Sequence, residues 1–439
     1  MSEKLRHNKN FTSLFGIQFL GAGNDNFFKI ALVLLITFNT SVSEPLAEQL
    51  GVPTTYLIQQ LNALAGALFI LPFFLFSALA GQIADKYGKP RLIVYIKAAE
   101  LCIMTLAAYG FITSNPIILL VCLFLMGIQS TFFGPIKYSF LPDILPTPRL
   151  VQGNAVIQAG TYGAILLGSI AGGVLIAQVS GPMYVSAGII LFAAMGLWLA
   201  RRIALQAASA PNTKINYNPF TSTYVLLKYA YQKKTLGLSM LALSWFWLVG
   251  IAMITLVPLI ARHILGGDEY VSVSLLAIAT LGAVCGSLLC HVLLKNKPSP
   301  VLAPYGAAIM AISLFLLSIL PVQPMGSYPI DIYLNSFLGA ASLGLTFVFA
   351  LGGGMFAVPL FVMLQAYSPQ GKRSQVIAGA NILNSLFMAV GSLGLGFLLG
   401  INHGESDVLS YLAYGNAIMA VLALFAYMAF KKIKPTPSV

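Results

Sequence analysis

Charged residues are scarce in this chain. Only 8% of its 439 residues are Asp, Glu, Lys or Arg, whereas soluble domains carry about 25%. So few charges cannot cover the surface of a folded chain of this length, and 58% of the residues are hydrophobic. This shortage excludes a soluble globular protein and any large domain outside the membrane. It predicts a lipid bilayer as the main solvent.

Other absences narrow the chemistry. The sequence contains no G-x-x-x-x-G-K-[ST] pattern, which argues against ATP-driven transport by this chain. No CxxC pair or metal-ligand spacing occurs, and no histidine lies in the middle of an apolar run. We therefore expect no catalytic residues, no metal and no cofactor. The cysteines fall within apolar runs, as small hydrophobic residues do: Cys102, Cys122, Cys285 and Cys290.

Long apolar runs fill most of the chain. Each run is long enough for a helix that crosses a bilayer, which takes roughly 20 residues. The sequence therefore predicts an all-α membrane protein with twelve transmembrane helices. The runs cover residues 12–40, 57–84, 92–113, 117–140, 151–178, 182–200, 237–264, 270–294, 300–320, 336–363, 374–399 and 408–430.

Basic residues are confined to one set of loops. With the N-terminus placed in the cytoplasm, 21 of the 24 Lys and Arg residues fall in cytoplasmic segments. Arg262 alone falls outside, and Lys29 and Lys97 lie within spans. This asymmetry explains the net charge of +12 better than nucleic-acid binding does. It predicts an even number of spans with both termini in the cytoplasm.

The longest polar stretch divides the chain into two six-helix halves. We predict an N-terminal half over 1–200, a cytoplasmic linker over 201–235 and a C-terminal half over 236–439. The pair Gln158 and Thr161 precedes Gly168-Ser169 as Asn381 and Asn384 precede Gly391-Ser392, at an offset of 223 residues. Such an echo is typical of transporters built from two parallel repeats, although chance similarity between Gly-rich helices also produces it.

The loop between the second and third runs carries a gate-like motif. Gly81 allows close helix approach, Gly88 permits a tight turn, and Lys89 and Arg91 supply basic groups. Asp85 is a lone acid in this setting, and it can bridge to Arg91 or to a helix N-terminus. The spacing resembles the loop signature of the major facilitator superfamily. That resemblance implies a gate at Gly81, Asp85, Gly88, Lys89 and Arg91.

Polar residues deep in the first run predict a ligand site. Asn24, Asp25, Asn26 and Lys29 lie where charges are costly and usually face a cavity or a partner. Asp25 and Lys29 are four residues apart and share a helix face. They either neutralise each other or offer one anionic and one cationic group to a zwitterionic ligand. Both interpretations stay open.

Further polar residues extend this candidate site. Lys137 follows Pro135 at the end of the fourth run, where it either holds a phosphate or reaches the cytoplasmic interface. Lys97 and Glu100 are three residues apart in the third run, and we interpret them as a structural pair. The uncharged candidates for substrate binding, each also explained by hydrogen bonding between helices, are Gln158, Thr161, Asn381 and Asn384.

Three segments resemble the bacterial lysophospholipid transporters of the major facilitator superfamily, and the transporter half of transporter–acyltransferase fusions. They are QFLGAGNDNFFK at 18–29, FGPIKY at 133–138, and the stretch 153–173 that ends in AILLGSIAGG. Asp25 matches the first-span Asp of that family. Gln158 replaces an expected Glu, and the seventh run lacks a mid-membrane Arg, a charge that Lys29 can supply.

The resemblance implies a specific function. It implies alternating-access movement of lysophospholipid, such as lysophosphatidylethanolamine, from the outer to the inner leaflet of the bacterial inner membrane for reacylation. It also implies a monomer in contact with membrane lipids and a cytosolic acyltransferase as a partner. Two alternatives stay open: efflux of amphipathic drugs or siderophores by the same fold, and a non-transporting docking partner for the acyltransferase.

Overall fold

The computed structural model describes residues 3–295, 297–326, 328–401 and 403–433. Within these ranges the chain is helical, and the only β-type pairing is one isolated bridge between Gly267 and Tyr328. Twelve apolar helices occupy the predicted runs. Eleven are long and apolar enough to cross a membrane, and the ninth is shorter, with 17 residues. They are α1 Lys9–Phe38, α2 Thr54–Lys86, α3 Lys89–Ile112, α4 Pro116–Ile144, α5 Leu150–Ile176, α6 Gly181–Ala200, α7 Lys234–Leu259, α8 Glu269–Leu294, α9 Leu302–Ser318, α10 Phe337–Tyr367, α11 Arg373–Gly400 and α12 Glu405–Ile433.

Short polar side chains fix the starts of several helices. Asn8 accepts a hydrogen bond from the Phe11 backbone N–H at the start of α1, at 3.0 Å. Asp268 and Ser336 cap α8 and α10 in the same way. These caps satisfy backbone donors that the first turn of a helix leaves unpaired.

The helices group into two compact units. The first contains Met1–Ile144, Gly163–Leu226 and Gln370–Ile382. The second contains Leu145–Tyr162, Leu227–Pro369 and Leu383–Val439. Helices α5 and α11 are each divided between the units. The predicted boundaries at 1–200, 201–235 and 236–439 stay a prediction.

Close packing in the first unit depends on small residues. A Cβ atom at Gly168 of α5 would overlap the Gly23 backbone of α1, and one at Gly172 would overlap the Phe27 backbone. The small residues therefore let the two backbones touch. Next to this contact, Phe27 and Phe28 are fully buried and make edge-on contacts with Phe192 and Phe111.

The segment between α6 and α7 has two parts. Residues 203–218 contain no helix, and the chain then forms a helix over Pro219–Gln232, which we call the linker helix. Ile203 and Leu226 are buried, although Arg201 and Arg202 are exposed. Buried apolar contacts at both parts show that this segment packs on the membrane helices.

Candidate functional site

A buried carboxylate organises the polar centre of the first unit. Glu100 of α3 accepts hydrogen bonds from Lys97 Nζ at 2.5 Å and from Gln129 Nε2 of α4 at 2.8 Å. Asn24 Nδ2 of α1 approaches the same carboxylate at 3.3 Å. Lys97 and Glu100 are 1% and 2% exposed, so the predicted pair is present and almost completely withdrawn from solvent.

Two features accommodate the Lys97 ammonium. Its Nζ lies 5.1 Å from the centre of the Phe133 ring, within range of a cation–π contact. Gly21 of α1 leaves the space, since a Cβ there would lie 2.8 Å from Nζ. The Oδ1 atom of Asn24 is buried without a hydrogen-bond partner in the part of the chain that the structure describes. This centre therefore holds a paired charge and one unused acceptor.

Asp25 points to a different partner from the one its spacing suggests. Its Oδ2 accepts a hydrogen bond from Ser130 Oγ of α4 at 2.9 Å. Among the described residues no ion pair within 4 Å joins Asp25 to Lys29. The Lys29 ammonium instead lies 5.8 Å from the centre of the Phe69 ring of α2. The two residues share a face of α1, but direct neutralisation of one by the other is absent.

The other predicted residues of the first unit have mixed environments. Asn26 Nδ2 donates to the Ala22 carbonyl within its own helix, at 2.9 Å. Lys137 is half-buried, with Nζ 4.8 Å from the centre of the Tyr138 ring. Asn381 lies at Gly134, where a Cβ would come within 2.9 Å of its Nδ2. Lys137 therefore adds an ammonium to the half-buried polar surface of this unit.

The remaining predicted residues belong to the second unit. Thr161 Oγ1 donates to the Ile157 carbonyl of its own helix at 2.7 Å. Asn384 Oδ1 accepts from Ser244 Oγ of α7 at 3.0 Å, and Gln158 is buried. The structure thus places Gln158, Thr161 and Asn384 in a different unit from Asp25. Hydrogen bonding between helices accounts for Asn384, which is the alternative to substrate binding given above for these uncharged residues.

Sequence reasoning missed Gln129, Ser130 and Asn154. Gln129 and Ser130 hold Glu100 and Asp25, and a polar triplet, Gln-Ser-Thr at 129–131, interrupts the apolar run of α4. That interruption is the signal that identifies them. In the second unit, Asn154 and Gln365 exchange two amide hydrogen bonds at 2.6 and 2.9 Å. Asn154 shows no such signal, because its partner is 211 residues away.

Asp85 anchors the start of α11. It is fully buried, and its carboxylate accepts hydrogen bonds from the backbone N–H groups of Ser374 and Gln375 at 3.1 and 3.2 Å. These donors belong to the first turn of a helix, where unpaired N–H groups and the helix dipole favour a negative charge. Of the two predicted partners, the helix N-terminus is the one found. Arg91 is exposed.

Two further contacts reinforce this anchor. Lys89 Nζ lies 2.6 Å from Asp143 Oδ2 of α4, and Arg373 Nη1 lies 3.2 Å from Asp143 Oδ1. A Cβ at Gly81 would lie 2.7 Å from Ala378 Cβ of α11, so only glycine permits this approach. We call Asp85, Lys89, Asp143 and Arg373 the gate cluster. These four charged groups, of alternating sign, come from four helices: α2, α3, α4 and α11.

The linker segment is hydrogen-bonded to the same region. The Asn216 backbone N–H donates to Gln82 Oε1 at 2.7 Å, and the Ala210 N–H donates to the Asp85 carbonyl at 2.8 Å. Gly88 lies against the linker backbone, since a Cβ at this position would come within 2.7 Å of the Gln206 carbonyl oxygen. The linker therefore crosses directly over the predicted gate loop.

Comparison with known proteins agrees with this architecture. The family model described as Major Facilitator Superfamily matches residues 14–348. The lysophospholipid transporter LplT of Escherichia fergusonii is 26% identical over 422 residues, which span 91% of this chain and 93% of the relative. The protein of the same name from Citrobacter koseri is 26% identical over 407 residues, 90% of each chain.

Solved structures show the same fold. The human organic anion transporter MFSD10 (TETRAN) aligns with a TM-score of 0.73 at 14% identity, over 95% of this chain and 99% of that one. The fucose:proton symporter FucP of E. coli aligns with a TM-score of 0.69 at 14% identity, over 95% and 98%. At this identity the likeness shows the fold alone, and it confirms the predicted twelve-helix fold.

Proposed function

The chain belongs to the Major Facilitator Superfamily, and we propose that it transports lysophospholipids. Family membership makes it a multi-pass membrane transporter, which confirms the prediction of a transporter rather than an enzyme. The observation that carries the substrate proposal is the likeness to lysophospholipid transporters along nine-tenths of the chain. The half-buried Asp25, Lys29 and Lys137 support it, because a zwitterionic headgroup needs both an anionic and a cationic partner.

We propose that transport follows alternating access, from the outer to the inner leaflet of the bacterial inner membrane. Asp25 meets the headgroup ammonium, and Lys29 or Lys137 meets the phosphate. The acyl chain stays in apolar surroundings throughout, so only the headgroup must leave water. Reacylation by a cytosolic acyltransferase then removes the product from the inner leaflet and draws transport in that direction.

A leaflet-resolved flux assay tests this function. The purified protein is reconstituted into vesicles, and lysophosphatidylethanolamine is added to the leaflet that corresponds to the outside. We expect protein-dependent movement of the lipid to the opposite leaflet. Movement of amphipathic drugs outward with no lipid flux would instead support an exporter. No flux of any compound would support a docking partner for an acyltransferase.

The direction of transport depends on topology, which gives the first prediction. With both termini in the cytoplasm, cysteines introduced at the exposed residues Glu48 and Glu269 react with an impermeant thiol reagent applied to intact cells. Cysteines at the exposed Arg201 and Lys432 do not react until the membrane is permeabilised. The unsubstituted protein, with its four native cysteines, is the background control. Labelling at Lys432 in intact cells contradicts the proposed orientation.

The gate cluster gives the second prediction. Asp85→Asn removes the negative charge that accepts two backbone hydrogen bonds at the start of α11. It also replaces one carboxylate oxygen by an NH₂ group, which cannot accept a hydrogen bond from the backbone N–H opposite it. Hydrogen bonds to charged groups contribute about 1.5–3 kcal/mol, so we expect the maximal rate of uptake to fall by roughly tenfold or more. The substrate concentration at half-maximal rate stays within about twofold, because the residue shifts a conformational equilibrium without touching substrate.

The matched control is Arg91→Gln, which removes an exposed charge from the first turn of α3. Its uptake kinetics should equal those of the unsubstituted protein. An Asp85→Asn variant with an unchanged maximal rate would show that the contact with α11 has no part in the transport cycle.

A further inference from the structure

A chain of side-chain hydrogen bonds joins Glu100 to Asp25 within the first unit. Gln129 Nε2 of α4 donates to Glu100 of α3 at 2.8 Å. The next residue, Ser130, has its hydroxyl oxygen 3.2 Å from Gln129 Oε1 and 2.9 Å from Asp25 Oδ2 of α1. Three helices therefore contribute to one hydrogen-bonded path, which begins at the buried ion pair and ends at the residue that we place against the headgroup.

The chemistry of these groups fixes the direction of the path. An ionised carboxylate only accepts hydrogen bonds, so Gln129 turns its NH₂ group to Glu100 and its carbonyl oxygen to Ser130. The Ser130 hydroxyl has a single proton and two acceptors within reach. Hydrogen bonds to charged acceptors are stronger than those to neutral ones, which favours Asp25, the closer of the two. The hydroxyl therefore donates to Asp25 Oδ2.

The side chains that support Ser130 are held in place. Glu100 is 2% exposed and paired with Lys97, and Gln129 is 7% exposed. Asp25 and Ser130, by contrast, are half-buried. Groups that bind a ligand keep their geometry when their neighbours are themselves fixed by packing and hydrogen bonds. The path thus runs from a fixed interior to a carboxylate that a ligand can reach.

The hydrogen bond from Ser130 uses one oxygen of Asp25 and leaves the other for a ligand. Within the described residues, Asp25 Oδ1 accepts no hydrogen bond, and no ion pair within 4 Å joins Asp25 to a cation. A carboxylate accepts about four hydrogen bonds, so most of this capacity is unused. Because Ser130 holds Oδ2 against α4, the direction in which Oδ1 points is set as well.

We propose that Ser130 is a positioning residue for headgroup recognition, which holds the Asp25 carboxylate in the orientation that meets an ammonium group. The inference rests on the proposed function, in which Asp25 binds that ammonium, and it adds a determinant of headgroup preference. An ammonium gains from a carboxylate that is already oriented, because less side-chain freedom is lost on binding. A glycerol headgroup carries no ammonium and gains little from this alignment.

Replacing Ser130 by Ala tests this role in reconstituted vesicles. The variant removes the donor to Asp25 without adding atoms, and immobilising a freed side chain weakens binding by about two- to tenfold. We expect the half-saturating concentration of lysophosphatidylethanolamine to rise about fivefold, with the maximal rate within about twofold. Uptake of lysophosphatidylglycerol should change by less than about twofold.

Two further variants separate positioning from helix packing. Ser130→Thr keeps the hydroxyl and should restore the preference for lysophosphatidylethanolamine. Thr131→Val is the matched control, because it removes the neighbouring hydroxyl, which donates to the Gly127 carbonyl of its own helix at 2.7 Å rather than to Asp25. Uptake of both lipids by Thr131→Val should equal that of the unsubstituted protein.

A double variant shows whether Ser130 acts through Asp25. In Asp25→Asn the charge that Ser130 orients is gone, so adding Ser130→Ala should change uptake of lysophosphatidylethanolamine by less than about twofold. Full additivity of the two losses would overturn the proposal. Equal losses for both headgroups with Ser130→Ala alone would overturn it as well, because a packing defect does not distinguish the lipids. The ratio of the two uptake rates is measured on one preparation, so it does not depend on the fraction of folded protein.

The two proposals fail in different ways. If the unsubstituted protein moves no lysophospholipid, the proposed function is wrong. If it does so, and Ser130→Ala keeps the original headgroup preference, only the role of Ser130 is wrong.

Discussion

Replacing Glu100 by Gln is expected to lower the free energy of unfolding by about 3–5 kcal/mol, because it breaks a buried ion pair. The substitution leaves Lys97 as an uncompensated charge that is 1% exposed. Lys97→Met is expected to cost less. The carboxylate left behind keeps two amide donors, Gln129 and Asn24. Thermal unfolding of the purified variants in the same detergent shows which of the two substitutions costs more stability.

The double variant Lys97→Met, Glu100→Gln separates the pair from its surroundings. Removing both charges removes the unpaired ion, so the double variant should be more stable than Glu100→Gln alone. Uptake should recover with stability, since the pair is interpreted as structural. A Glu100→Gln variant as stable as the unsubstituted protein would contradict the pairing. A stable double variant without uptake would assign the pair to transport.

The bilayer makes much of this fold readable from sequence. A span must be apolar over a fixed length, so the predicted runs at 12–40 and 336–363 coincide with α1 and α10 to within a few residues. The same constraint accounts for the glycines at 168 and 172 in α5, because only small residues let two backbones touch in lipid. Both features depend on local composition, which one sequence contains in full.

The spacing of residues along the chain does not identify the partners that a side chain finds on other helices. Asp85 was compatible with Arg91 or with a helix N-terminus, and its actual donors at Ser374 and Gln375 lie about 290 residues later. The i, i+4 rule placed Asp25 and Lys29 on one face correctly, yet Ser130 from α4 offers Asp25 a closer partner. A polar side chain in a packed core hydrogen-bonds to the nearest suitable donor or acceptor, and that group is known only once the packing of the helices is known.

The absence of an ion pair between Asp25 and Lys29 leads to the second large effect. Asp25→Asn keeps an acceptor for Ser130 and breaks no ion pair within 4 Å among the described residues, so the melting temperature should change little. If Asp25 binds a headgroup ammonium, the substitution removes a charge-assisted hydrogen bond of about 1.5–3 kcal/mol. Uptake of lysophosphatidylethanolamine at low concentration should then fall by roughly tenfold or more.

Headgroup chemistry and the Lys29 variant decide whether this loss reflects binding. Lysophosphatidylglycerol lacks the ammonium, so its uptake by Asp25→Asn should fall by less than about threefold, while Lys29→Met should reduce uptake of both lipids through the phosphate. Because no ion pair joins the two residues, the effects of Asp25→Asn and Lys29→Met should add in the double variant. Rescue of uptake in the double variant would show that the residues neutralise each other during the transport cycle. Equal losses for both headgroups with Asp25→Asn would likewise count against ammonium binding. A residue that contacts only the phosphate, or that only supports helix packing, affects the uptake of both lipids equally.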